Sequence, residues 1–141
     1  MSLFTGINVS ASGLTAQRLR MNTISSNIAN VNTTRTEDGG PYRRKMPVFA
    51  AKLNGEMGAM NKNEQAGDGV EVTEIKESDK PPKLAYKPHH PDANEAGYVK
   101  MPNINITSEM TDMISATRSY EANVTALESA KSMAQSALKL G

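Results

Sequence analysis

The chain has 141 residues, a formal net charge of +1, no cysteine or tryptophan, and an aromatic content of 4%. That length suits one domain with a thin core. Disulfides, thiolate metal sites and cysteine nucleophiles are excluded, and near-neutral charge offers no general attraction to nucleic acid or an anionic membrane surface.

The first predicted element is a helix that starts at Ser2 or Thr5, either of which has a capping side chain, and runs to about Asn30. Ile7, Leu14, Met21 and Ile28 recur at seven-residue steps and so share one face. Gly6 and Gly13 are also seven apart. Each costs about 1 kcal/mol relative to Ala in a helix. The pair reads either as tolerated flexibility or as a smooth strip where another backbone comes close. Asn27, Asn30 and Asn32 weaken the pattern, because Asn side chains compete for backbone hydrogen bonds.

The middle reads as loops and short strands. Gly39-Gly40-Pro41 and Gly67-Asp68-Gly69 are turn signals. Alternation at Phe49/Ala51/Leu53, Val70/Val72, Leu84/Tyr86 and Ile104/Ile106 predicts half-buried strands. The polar, Gly-bearing stretch Asn54 to Asn63 is expected to be mobile. Arg43-Arg44-Lys45, a short basic run next to Tyr42, reads as a solvated loop, or as a contact to acidic groups on a neighbouring subunit, since guanidinium forks suit carboxylates. His89-His90-Pro91-Asp92 reads as a surface loop, because adjacent residues of an extended strand point to opposite faces.

The last element is a helix capped by Thr107 or Ser108, with Glu109 and Asp112 in its first turn and Lys131 and Lys139 late, charges that complement its dipole. Met110, Met113, Thr117, Tyr120, Val124, Leu127, Lys131, Ala134 and Leu138 alternate steps of three and four, an a/d seam. Lys131 is the polar intruder in that seam. A single exposed stripe stabilises little, so each terminal helix is expected to be weakly ordered until it packs on another. No phosphate loop, dinucleotide fingerprint, nucleophile elbow or zinc-protease motif occurs, so neither an enzyme nor a cofactor is expected. No apolar run is long enough to span a membrane, and no cleavable signal peptide is expected.

Two stretches carry a specific resemblance. Ser12-Gly13-Leu14 with Ala16 and Arg18, followed by Ser26-Asn27-Ile28-Ala29-Asn30-Val31-Asn32-Thr33, resembles the opening signature of the bacterial flagellar basal-body rod and hook family. Tyr120-Glu121-Ala122-Asn123 resembles its closing signature. The insert Thr34 to Gly39 before Gly40-Pro41-Tyr42-Arg43-Arg44, together with His90-Pro91-Asp92-Ala93-Asn94, Gly97-Tyr98-Val99 and Met113-Ile114-Ser115-Ala116, is most similar to the proximal-rod members.

The chain is expected to be mainly α, its long N- and C-terminal helices packing together as a coiled-coil-like pair, and the resemblance divides it into an N-terminal axial helix (1–33), a β-rich or irregular middle segment (34–104) and a C-terminal axial helix (105–141). It implies a structural subunit of a hollow rod that spans the periplasm, transmits torque and lines an export channel. Export without a cleaved signal follows from the same likeness. Implied partners are copies of itself, other rod subunits, membrane-ring junction proteins and the export apparatus. The assembly interface is expected at Ile7, Leu14, Met21, Ile28, Met113, Tyr120, Asn123, Val124, Leu127 and Leu138, with Tyr42, Arg43 and Arg44 reaching outward to neighbours. Another rod- or hook-type axial protein, or a soluble helical-hairpin binding module, are the alternatives.

Overall fold

A computed structural model describes residues 3–52 and 69–141. The elements in order are α1 (Leu3–Ala29), β1 (Lys45–Ala51), β2 (Val70–Glu77), β3 (Lys83–Tyr86), β4 (Tyr98–Met101) and α2 (Ile106–Leu140). Two long helices with a small β middle is the class the sequence predicts. The Asn54 to Asn63 stretch, Leu53, Ser2 and most of the Gly67-Asp68-Gly69 turn lie outside the described residues.

The helices lie side by side and antiparallel. Asn27 meets Glu109, Met21 meets Thr117, and Gly13 meets Asn123. In this register the described start of α1 lies opposite the region of Met133, so about the last two turns of α2 run past it. Contact between the helices is tightest where side chains are smallest. A Cβ placed on Gly13 would come within 3.0–3.1 Å of the Asn123 side chain. Gly13, Ala16, Thr23, Ile24 and Asn27 of α1 are buried, as are Glu109, Ala116 and Ala130 of α2.

The line of contact on α2 is Glu109, Met113, Ala116, Tyr120, Asn123, Leu127, Ala130 and Ala134, an alternation of four and three. It keeps the predicted heptad spacing but shifts every second position by one residue. Met110, Lys131 and Leu138, placed in the seam by the three-and-four spacing, are exposed. Small residues (Gly13, Ala16, Ala116 and Ala130) are the buried apolar positions shared by the two helices, apart from Ile24, while Met113, Tyr120 and Leu127 alternate with them as half-buried side chains.

Helix α2 is capped by Asn105, not by Thr107 or Ser108: the Asn105 side chain accepts from the amides of Thr107 (3.0 Å) and Ser108 (3.3 Å). Ile106 accordingly opens the helix and is not part of a strand, while Thr5 lies inside α1.

Strands β1 and β2 form an antiparallel hairpin, with Lys45 opposite Glu77 and Ala51 opposite Val70, and a bulge between Val48 and Phe49. This hairpin lies along α1. One end is held at Asn27, and the other at Ser12, whose hydroxyl accepts from the Val70 amide (3.0 Å). Gly69 (φ 115) lies so close to Ser12 that a side chain there would collide with it. Strands β3 and β4 form a separate hairpin, from Lys83 opposite Met101 to Tyr86 opposite Tyr98. It packs on the connectors: Thr34 donates to Asp92 (2.7 Å), and Asn103 donates to the Pro81 carbonyl (3.0 Å). Val99 of β4 and Ile104 just after it are buried.

Candidate functional site

The most strongly determined constellation lies where α1 ends, β1 begins and α2 begins. Asn27 is 1% exposed and Glu109 is fully buried. The Asn27 amide donates to Glu109 Oε2 (3.0 Å) and to the Lys45 carbonyl (2.9 Å). Its Oδ1 accepts from the Lys45 amide (2.9 Å) and from the Tyr42 hydroxyl (3.1 Å). Both donors and both acceptor sites of the carboxamide are therefore used. Because Asn27 takes both backbone groups of Lys45, it acts as a one-residue strand partner and closes the free edge of β1 there.

Glu109 is a charged residue with its charge matched. Arg44 Nε donates to Glu109 Oε1. Arg44 Nη2 also reaches Asp112 Oδ2 (3.4 Å), and Arg20 of α1 lies 3.6 Å from Asp112 Oδ1. Placement in the first turn of α2 adds the favourable field of the helix N-terminus. A buried carboxylate with these donors is tolerated, whereas one without them would be strongly destabilising. The cluster ties three segments far apart in sequence into one clasp.

The Asn-Ile-Ala-Asn run now has a mechanical meaning. Asn27 forms the clasp, and three residues later Asn30 returns its side chain to the Ser26 carbonyl (2.9 Å) while accepting from the Thr33 hydroxyl (3.1 Å). The Thr33 carbonyl then accepts from the Tyr42 amide (3.0 Å), which aims Tyr42 back at Asn27. The run ends the helix and fixes the exit path of the chain.

Of the predicted interface residues, Ile7, Leu14, Met21, Ile28, Met113, Tyr120, Asn123, Val124 and Leu127 are half-buried along the helix pair, and Leu138 is 81% exposed. The expectation that Tyr42, Arg43 and Arg44 all reach outward is corrected for two of the three. Tyr42 is buried against Asn27, with Lys45 Nζ 5.8 Å from its ring centroid, and Arg44 is committed to Glu109 and Asp112. Acidic partners for this arginine do exist, but they belong to the same chain. Only Arg43 is exposed.

Sequence reasoning missed Asn27, Glu109, Asp112 and Arg20 as site residues. It read the Asn as a helix weakener and the acids as dipole partners. The usable signal was that Glu109 stands one helical turn before Met113, on the seam itself.

In the His-Pro-Asp loop, His90 Nδ1 accepts from the Asp92 amide (3.1 Å), and Asp92 in turn accepts from Thr34 and lies 3.9 Å from Arg35. This arrangement is a turn. Among the described residues no group of three or more His, Asp or Glu is placed to hold a metal ion, and no helix is long and apolar enough to cross a membrane.

Outside the clasp, α2 presents apolar side chains to solvent: Ile106, Met110 and Ile114 at four-residue steps near its start, and Met133, Leu138 and Leu140 near its end. Leu140 is 90% exposed, and Phe4 on α1 is 74% exposed.

The chain is similar to known proteins over its whole length. A profile of the family described as "Flagella basal body rod protein" matches residues 7–35, and one described as "Flagellar basal body rod FlgEFG protein C-terminal" matches residues 95–140. The "Flagellar basal-body rod protein FlgC" of Borreliella burgdorferi is 50% identical, covering 99% of this chain and 98% of the relative. The proteins of that name from Bacillus subtilis and Escherichia coli O6:H1 are 47% and 43% identical, each covering 100% of this chain and 99% of the relative.

Proposed function

The chain belongs to the flagellar basal-body rod protein family, and on that premise we propose that it is a structural subunit of the proximal rod. In this reading it packs head to tail with copies of itself and with other rod proteins, a heterologous contact that extends instead of closing. Its segments 1–33 and 105–141 form the inner, axial layer of a hollow shaft, and 34–104 faces outward. The shaft transmits torque across the periplasm and lines the channel through which later subunits pass. Further partners are the membrane-ring junction and the export apparatus, which delivers the chain without cleavage. The role is mechanical, with no catalytic step and no cofactor.

The observation that carries the reading is the state of α2. One face is occupied by α1, yet Met110, Ile114, Met133, Leu138 and Leu140 stay exposed on a helix that outruns its partner. A helix carrying apolar side chains beyond its own intramolecular seam is suited to a second packing partner. Polymer packing supplies one, and a drive shaft needs subunits that are themselves internally braced. The Asn27–Glu109–Arg44 clasp supports that requirement, because it joins the axial helices to the outer segment by buried hydrogen bonds and an ion pair instead of a bare linker.

The test is photo-crosslinking in motile cells with a benzoylphenylalanine at position 114. Adducts between this chain and a rod protein are expected. Absence of the chain from isolated basal bodies, together with no adduct to a rod protein in cells, would reject the reading.

A further inference from the structure

The outer segment holds a small basic pocket beside the clasp, with which it shares Tyr42 and Arg44. The turn at Gly39–Gly40, the β2–β3 connector and the end of β4 enclose a cavity of about 300 Å³. Its charged lining consists of Arg43, Arg44, Lys80 and Lys100, with no carboxylate among the lining residues. Arg44 is neutralised by Glu109 and Asp112. Arg43, Lys80 and Lys100 are exposed and have no ion-pair partner among the described residues.

The walls of the pocket are preformed. The Gly40 carbonyl accepts from the Thr36 amide (2.9 Å), and the Gly39 amide donates to the Thr36 carbonyl (3.0 Å). The Ser78 amide donates to the Arg44 carbonyl (2.8 Å), joining the β2–β3 connector to the strand that follows the turn. A second cavity of about 330 Å³ adjoins it and shares Gly40, Pro41 and Lys100.

Three cations from three separate segments line one concave site; the acids nearest to them, Glu37, Asp38 and Glu77 beside Arg43 and Asp92 beside Lys100, line the adjoining cavities and not this one, which leaves the site itself suited to an anion. Arg43 contributes a planar fork that matches a carboxylate bidentately, while the lysines act as point charges. A volume of this size takes one or two acidic side chains and not a folded module. Pro41, Pro82 and Tyr42 among the lining residues offer apolar contact for the stem of such a side chain. Nucleic acid is a poor fit, since the cations are gathered in one pocket and not spread along a face, and the net charge is only +1.

We propose that this pocket docks an acidic segment of a neighbouring rod subunit, with Arg43, Lys80 and Lys100 as the recognising groups. The proposal rests on the rod reading above and adds to it a specific outer-surface contact. It also separates the two arginines of the Arg-Arg pair: Arg44 braces the subunit internally, and Arg43 addresses the neighbour.

Two measurements test it. First, Arg43→Glu/Lys80→Glu/Lys100→Glu in the full chain is expected to keep wild-type helical content by circular dichroism and wild-type export. Its retention in purified basal bodies is expected to fall at least tenfold, and the Gln triple variant is expected to fall between the two. Second, a photo-crosslinker replacing Lys80 alone in the otherwise native chain is expected to give adducts that map to a Glu- or Asp-rich stretch of a rod protein. Retention of the Glu variant at the native level would overturn the proposal, as would adducts mapping to a segment without acids. So would protection of Lys100 from acylation by inorganic phosphate alone with no protein adduct. If the native chain itself is absent from basal bodies, the rod reading fails; if the native chain and the Glu variant are retained equally, only the pocket assignment fails.

Discussion

Asn27→Ala is the sharpest test of the internal architecture. The substitution removes four hydrogen bonds at once, leaving Glu109 Oε2 and the Tyr42 hydroxyl without their buried partner and both backbone groups of Lys45 without theirs. A buried polar group left unpaired costs about 1–3 kcal/mol. The two Lys45 groups sit at a strand edge that water can reach, so the larger share comes from Glu109 and Tyr42. The Tyr42 hydroxyl also keeps the Ser26 hydroxyl 3.3 Å away, which reduces its loss. A total of about 2–4 kcal/mol results, a large fraction of the ~5–15 kcal/mol typical of a whole domain. Asn27→Asp should be worse despite equal size, because an acceptor then faces Glu109 and the Lys45 carbonyl where a donor stood. The assay is urea unfolding followed by circular dichroism. With a slope of about 1–3 kcal/mol per molar, Asn27→Ala should lower the midpoint by roughly 0.7 M or more, and the exposed Asn32→Ala should leave it unchanged. A shift for Asn27→Ala no larger than that of Asn32→Ala would refute the idea that the clasp holds the three segments together.

Three further outcomes are expected. Gly13→Ala gains about 1 kcal/mol of helix propensity but drives a Cβ against Asn123. In thermal unfolding, therefore, Asn123→Ala should lower Tm in the native background and raise it in the Gly13→Ala background; the same sign in both would show that the helices do not approach closely here. Leu127→Asp puts a charge on the line of contact and should abolish both helix pairing and rod assembly, whereas Ile114→Lys, at an exposed position, should spare the fold and impair assembly. Swimming-halo assays and basal-body immunoblots should fall for both variants, circular dichroism of the purified chain separates the two, and normal motility of Leu127→Asp would contradict the account. In a verified monomer, amide exchange along α2 should be slowest from Glu109 to Asn123, beside the clasp, and fastest beyond Ala134; uniformly slow exchange to Leu138 would exclude a frayed axial end.

The two long helices were legible because each carries a periodic pattern over many turns, and the family was legible because its opening and closing signatures stand at the two ends in order. The exact seam was not. Hydropathy selects the largest apolar side chains, such as Met110 and Leu138, while close packing of two helices selects Gly13, Ala16, Ala116 and Ala130, which carry little hydropathic weight. The clasp was hidden for a different reason. Asn27, Glu109 and Arg44 are each ordinary surface residues by type, and their role arises only from a contact across 65 to 82 positions of chain. Local reading also favoured the hydroxyls of Thr107 and Ser108 as caps, although Asn105, equally strong by type, stood just before them.

The most direct test of the central claim is electron microscopy of basal bodies from a strain that lacks this gene. Rings without a completed rod or hook are the predicted result, restored by the native chain and not by Leu127→Asp. Intact rods and hooks in the deletion strain would contradict the account.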